Sequence, residues 1–145
     1  MNFEGTYQIN APREKVWDFV SDPNKIGKCL PDLKNLEVGT DNKFTAIVRV
    51  GVGFMKGDFK FELAIVEQTP PSHARLKGSG MGAGSNVNMD ASIDLIEAGA
   101  GTILAYKADV KIVGTLASVG QRVIGGATEK SVAGVFSCVK KQLET

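Results

Sequence analysis

Apolar and polar residues alternate along most of this chain. Phe3, Gly5, Tyr7 and Ile9 alternate with Glu4, Thr6 and Gln8, which is the period of a strand. The same period returns repeatedly between residues 33 and 113. Leu33–Val38 reads as a short strand, and Asp41-Asn42 as a hairpin turn. Phe44, Ala46, Val48 and Val50 then alternate with Thr45, Ile47 and Arg49. Residues 51–57 break the run. Phe59, Phe61, Leu63 and Ile65 follow, interleaved with Lys60, Glu62 and Ala64. After a turn at Thr69-Pro70-Pro71-Ser72, Ala74 and Leu76 alternate with Arg75 and Lys77. Val87, Met89, Ala91, Ile93 and Leu95 form one face of the next strand, with Asn88, Asp90, Ser92 and Asp94 on the other. Gly99-Ala100-Gly101 turns the chain into Leu104, Tyr106, Ala108, Val110 and Ile112. This pattern predicts an antiparallel sheet with one apolar and one polar face.

Two stretches depart from that period. Asn10 or Ala11 can serve as an N-cap, Pro12 suits a first helical position, and Glu14 complements the positive helix start. Val16, Trp17, Phe19 and Val20 then form one helical face, which ends at Ser21-Asp22-Pro23 because the residue before proline avoids helical geometry. A short helical turn follows near residues 24–28 and closes at Cys29-Leu30-Pro31. After Gly114, Leu116, Val119, Val123, Ala127, Val132, Phe136, Val139 and Leu143 recur at helical spacing. One long C-terminal helix is predicted, the only element long enough to cover the apolar face of the sheet. The order of elements predicts an α+β fold in one domain spanning residues 1–145.

Glycines punctuate this picture. Residues 77–86 read KGSGMGAGSN, which raises the question of a phosphate-binding loop. Such a loop needs a helix directly after it, to supply free N–H groups and a positive dipole. Here the following residues, Val87-Asn88-Met89-Asp90, have strand period, and Lys77 precedes the glycines. A bent strand pair at a sharply curved sheet edge, shaping an apolar cavity, is the expectation. Gly120, Gly125, Gly126 and Gly134 fall in or beside the long helix, with a kink expected at Gly125-Gly126. Small residues there fit either close packing on the sheet or a lid over a cavity.

Composition narrows the function. The formal net charge of +1 gives no general attraction to nucleic acid. The start lacks the basic and apolar regions of a signal peptide, and no apolar run reaches membrane-spanning length, so a cytoplasmic location is expected. Cys29 and Cys138 lack metal-ligand spacing and are expected to be reduced thiols. His73 is expected to be an exposed turn histidine, and Asp90 and Asp94 to be solvated charges. No nucleophile elbow, HExxH or CxxC motif is present. Catalytic residues, metal and cofactor are therefore not expected. The apolar inward face suits a hydrophobic ligand. Val52, Phe54 and Met55, between glycines at 51–57, are candidates for an apolar loop facing a partner or membrane.

The segments YQINAPREKVWDFVSDPNKIGKCLPDL, VGVGFMKGDFKF, GSGMGAG and GTLASVGQRVIGG together resemble the carbon monoxide dehydrogenase G-subunit family, within the START-like (SRPBCC, helix-grip) superfamily. The resemblance covers essentially the whole chain. It implies a curved antiparallel sheet of about seven strands wrapped on a long C-terminal helix, with two short helices after the first strand. It also implies a deep cavity for a hydrophobic small molecule, a quinone or lipid. The role implied is a non-catalytic accessory to a molybdenum-containing carbon monoxide dehydrogenase-like enzyme, in membrane docking or electron transfer, with peripheral contact at the inner face of the membrane. Many relatives carry a further tail implicated in membrane attachment, whereas this sequence ends at Thr145. Inward alternation gives the cavity candidates Phe59, Phe61, Met89, Ile93, Tyr106 and Ala108 from the sheet. Val123, Ala127 and Phe136 come from the helix, and Trp17 lies near one end. A polyketide cyclase or aromatase shares the fold but needs polar groups in its cavity. A pure interaction module, its cavity filled by its own side chains, is the remaining alternative.

Overall fold

The computed structural model describes residues 1–144, so Thr145 lies outside the described residues. Strand β1 (Asn2–Ile9) is followed by helices α1 (Arg13–Val20) and α2 (Pro23–Ile26) and a 3-10 turn at Gly27–Cys29. Strands β2 (Leu33–Val38), β3 (Lys43–Val52), β4 (Met55–Thr69), β5 (His73–Gly82), β6 (Ser85–Ala98) and β7 (Gly101–Gly114) come next. A second 3-10 turn, Thr115–Val119, leads into helix α3 (Gln121–Leu143). The strands form one antiparallel sheet in the order β1-β7-β6-β5-β4-β3-β2. Every neighbouring pair except β1–β7 is consecutive in sequence, so short turns suffice, and β1 closes the order against β7.

The turns explain themselves locally. Asp41-Asn42 and Ala83-Gly84 carry positive φ at both central residues, the geometry that matches strand twist in two-residue hairpins. Residues 51–57 do not break the sheet as expected. Val52 and Met55 pair across a two-residue turn whose first central residue, Gly53, has φ +60. Without a Cβ, Gly53 adopts that angle at little cost, and both strands run through the stretch.

The alternating glycines are strand residues as well, and β5 is the central strand of the sheet instead of a curved edge. A Cβ on Gly80 would lie 2.5 Å from Phe61 Cδ1, and one on Gly82 would lie 2.9 Å from Phe59 Cδ1. The missing side chains leave the inner face of β5 as a floor for Phe59, Phe61 and Leu63 of β4. The room is occupied by the protein's own rings, which pack against each other with centroids 6.3 Å apart.

Two clusters form the core. One holds Ile9, Val16, Trp17, Leu95, Leu104, Val139 and Leu143, where α1 and the end of α3 meet the sheet. The other holds Met55, Phe59, Val87, Leu116 and Ile124 at the opposite end. The C-terminus of α3 is fixed to the first cluster by polar ties. Lys15 Nζ donates to the carbonyl of Leu143 at 3.1 Å, and Asn10 N–H donates to Glu144 Oε2 at 3.0 Å. Lys140 and Lys141 complement the negative helix end.

The helical stretch expected from Leu116 is interrupted at Gly120, whose φ of +102 only glycine adopts readily, and helix α3 is continuous from Gln121 to Leu143. The cysteines are not free thiols: Cys29 and Cys138 form a disulfide, with Cα atoms 5.5 Å apart across 109 residues of sequence. Spacing carries no information at that separation, because only the docking of α3 on the short-helix segment brings the two together.

Candidate functional site

The inner sheet face is covered by α1 and α2 on one side and α3 on the other, and it is not filled. One cavity of about 240 Å³ lies beneath the short helices. Val20, Pro23, Ile26 and Leu30 roof it, and Phe44, Leu63, Ile65, Leu76, Ala91 and Ile93 make its floor. A second, of about 420 Å³, lies between α3 and strands β3, β4 and β6. Val48, Val50, Phe61 and Met89 face Ala127, Thr128, Ser131, Val132 and Val135 across it. Leu30 belongs to the wall of both.

The chemistry of these walls follows from strand alternation. The floor comes from residues of one parity, which the sequence makes apolar. Arg75 and Ser92 touch the smaller cavity, but the Arg75 side chain is held by the bidentate carboxylate of Asp90, at 2.9 and 2.6 Å. Asp90 lies between Met89 and Ala91 in the strand, so its side chain points to the opposite face. Ser21 Oγ donates to the carbonyl of Trp17. The polar side chains in the walls of the larger cavity are Asp32, Arg49, Thr128 and Ser131. Thr128 donates to the carbonyl of Ile124, and Arg49 pairs with Asp58 at 3.5 Å. Among the described residues, no group of His, Cys, Asp and Glu is arranged to hold a metal ion.

The sequence-derived candidates separate into groups. Phe61, Met89 and Ala127 line the larger cavity and Ile93 the smaller. Trp17 and Phe59 are buried in the two core clusters. Ala108 is half-buried on β7, opposite Phe3 and Ala91. Tyr106 and Phe136 do not line either cavity. They pack with Tyr7, at centroid distances of 5.8 Å to each other and 4.6 Å from Tyr7 to Phe136. Burial pushes the Tyr106 phenol up, with Tyr7 and Glu129 adding to the shift. Val123 is 47% exposed and lines neither cavity; it lies beside the Gly53 turn, one helical turn before Ala127. In the apolar loop only Phe54 is displayed, at 72% exposure; Val52 is half-buried and Met55 packs into the core. A two-residue hairpin explains this, since it can present only its central residues.

Several further residues belong to the walls. Leu63, Leu76 and Ala91 are legible in the sequence, because they share the alternation of Phe61 and Met89. Leu30 is not, because it sits in an irregular segment with no period.

The outer face holds a polar cluster that alternation hides. His73 Nδ1 lies 2.8 Å from Asp94 Oδ1, and Nε2 lies 3.3 Å from Glu67 Oε2. His73 is therefore not an isolated turn residue: both ring nitrogens face carboxylates, an arrangement that an imidazolium satisfies. The hydrogen bond to Asp94, then that to Glu67, raises its pKa above the ordinary value. Asp90 is not a free solvated charge either: the Arg75 hydrogen bonds hold its carboxyl below the ordinary range.

A curved sheet gripping a C-terminal helix over an apolar cavity defines a START-like helix-grip protein. The fold is shared with a START superfamily protein from Mycobacterium smegmatis (14% identity, TM-score 0.74, covering 99% of this chain and 97% of that one). It is shared also with an aromatase/cyclase from a Streptomyces species (12% identity, TM-score 0.69, covering 99% and 93%). A conserved protein from Geobacillus kaustophilus is more similar, at 28% identity and a TM-score of 0.93 over 99% of this chain and 95% of that one. No curated protein sequence matches the chain. The chain belongs to the CoxG family, that of the carbon monoxide dehydrogenase G subunit, whose model matches residues 5–144.

Proposed function

We propose that the chain is one START-like domain that binds a hydrophobic small molecule, a quinone or lipid, between its sheet and its helices, without catalysing a reaction on it. The observation that carries this reading is the pair of cavities sharing Leu30, the smaller walled by aliphatic and aromatic side chains. Burying a ligand's apolar surface there contributes about 25 cal/mol per Å² removed from water. Among the described residues, the charged groups at the cavity walls are Asp32, Arg49 and Arg75, with both arginines paired to carboxylates, which favours carriage over cyclase chemistry. Family membership supports an accessory role beside a molybdenum-containing carbon monoxide dehydrogenase-like enzyme, in membrane docking or electron transfer. No helix among the described residues is long and apolar enough to cross a membrane. Contact at a cytoplasmic membrane face would be peripheral, with Phe54 the candidate apolar tip.

Native mass spectrometry of protein isolated from its own host tests the reading. A co-purified quinone or lipid, displaced by a quinone analogue, is the expected result. Repeated recovery of empty protein that also fails to bind quinone analogues would sink it. The accessory role is tested separately, by co-purification with molybdenum hydroxylase subunits.

A further inference from the structure

The Cys29–Cys138 disulfide sits where the two cavity covers meet. Cys29 is buried at the end of the first 3-10 turn, and Cys138 is half-buried on α3. Leu30, the residue after Cys29, forms part of both cavity walls, and Val135 lies one helical turn before Cys138 in the larger wall. The bond therefore staples the short-helix cover of one cavity to the long-helix cover of the other.

Few other contacts hold the short-helix cover down: helix α2 has no buried residue, its Ile26 is partly buried against the first core cluster, and Gly27 is buried beyond it. Among the described residues, the hydrogen bonds of residues 22–30 run to one another: Asn24 N–H to Asp22, Lys25 and Ile26 N–H to the Asp22 carbonyl, and Leu30 N–H to the Gly27 carbonyl. The next tie to the sheet is Arg49 N–H donating to the Asp32 carbonyl at 3.0 Å. Pro23 and Leu30 face cavity space, so much of the segment's apolar surface contributes little packing. A segment with few buried contacts and local hydrogen bonds opens at low cost unless tethered.

We propose that Cys29–Cys138 is a reducible latch on the ligand cavity, and that a dithiol reductant is its reactant. The reductant's thiolate attacks Cys138 Sγ, on the less buried of the two cysteines; the S–S bond breaks and Cys29 leaves as a thiolate. The second thiol of the reductant resolves the mixed disulfide. Two electrons pass from dithiol to disulfide, the two protons end on Cys29 and Cys138, and the reductant becomes a disulfide. The cover at residues 22–32 is then free to open, and ligand exchanges faster. Oxidised protein retains its ligand. This proposal rests on the cavity being a ligand site, but the latch itself is readable without ligand.

Hydrogen exchange on the full chain, oxidised, reduced with a phosphine and reoxidised with diamide, tests the latch. Exchange across residues 22–32 is expected to rise at least about tenfold on reduction and to revert on reoxidation, while β6 stays protected. Release of preloaded N-phenyl-1-naphthylamine is expected to accelerate in parallel. The Cys29→Ala/Cys138→Ser variant should behave as reduced protein and ignore the phosphine; if it does not fold, the reduced wild-type chain gives the same reading. Equal exchange in both oxidation states overturns the latch. So does loss of β6 protection along with the segment, which would make the bond a staple of the whole fold. Failure of the dye to bind in either state counts against the ligand reading, while the exchange data still decide the latch.

Discussion

Over β1 and β7 the inner face of the sheet is closed by side chains, whereas over β3, β4 and β5 it is left open. The closed half stacks Tyr7, Tyr106 and Phe136 above Ile9, Leu104 and Val139, three residues with no exposed surface. The open half has the same strand period and the same apolar character. Its sheet residues, such as Phe44, Phe61, Leu63 and Met89, are as large, but the helices above it present Ala127, Thr128 and Ser131, or only the thin cover of α2. The difference teaches that hydrophobicity alone does not say where a cavity forms. What decides it is whether the facing element supplies enough volume to meet the sheet.

Truncation separates the two halves most strongly. Leu104→Ala, in the closed half, should cost about 2–5 kcal/mol of unfolding free energy, because tightly packed neighbours cannot collapse into the space. Leu63→Ala, bordering the 240 Å³ cavity, should cost less than about 1–2 kcal/mol, since one of its sides already faces space. Urea denaturation of both variants measures this, and equal losses would erase the distinction between the halves.

A smaller effect is expected where the halves meet the glycine floor. In Gly80→Val, the new Cβ would press on Phe61, and overpacking of this kind costs about 1–3 kcal/mol. The displaced ring has the 420 Å³ cavity beside it, so dye affinity should fall together with stability. Stability loss with unchanged dye affinity would place the displaced ring elsewhere.

Ala127→Trp should do the reverse. The indole enters existing space, so stability should change by less than about 1 kcal/mol, while affinity for N-phenyl-1-naphthylamine drops at least about tenfold. Isothermal titration beside thermal melts checks both. A bound dye at wild-type affinity would move the ligand site away from α3.

Much of this architecture is legible in the sequence. The strands themselves follow from period-two alternation and short turns, whereas the pairing of β1 with β7 does not, and the cover of the sheet follows from the one long helical stretch. The features that local pattern misassigns share a cause: each is set by tertiary distance. Composition places Gly78, Gly80 and Gly82 in a bend at an edge, because only pairing with β4 shows that Phe61 and Leu63 lie over the central strand. Cys29 and Cys138 look like free thiols, since nothing local connects residues 109 apart. Met55 looks like part of an exposed tip because glycines surround it, yet Gly53 turns so tightly that Met55 already belongs to a strand. Parity puts Tyr106 on the cavity face, which is right about its face and silent about Phe136 opposite.

The smallest effect lies on the outer face behind the open half. His73 bonds Asp94 and Glu67 there, joining the ends of β4, β5 and β6, whose inward residues Ala74 and Ile93 line the smaller cavity. Its folded-state pKa is raised above the ordinary 6.5, so protonated His73 is favoured in the native state. Its stabilising contribution is therefore complete below 6.5 and fades as pH rises through the raised folded value. Asp90, held low by Arg75, behaves oppositely: its contribution is present above its ordinary value and is lost only as pH falls through the lowered one. The two windows do not overlap, so urea midpoints at about pH 5.5 and about pH 8.5 isolate the histidine. Wild-type protein should be modestly less stable at the higher pH, and His73→Gln should flatten the difference while leaving dye affinity unchanged at the lower pH. A wild-type slope that persists in His73→Gln would assign it to another group. A change in dye affinity would show instead that the ladder on the outer face sets the geometry of the cavity beneath it.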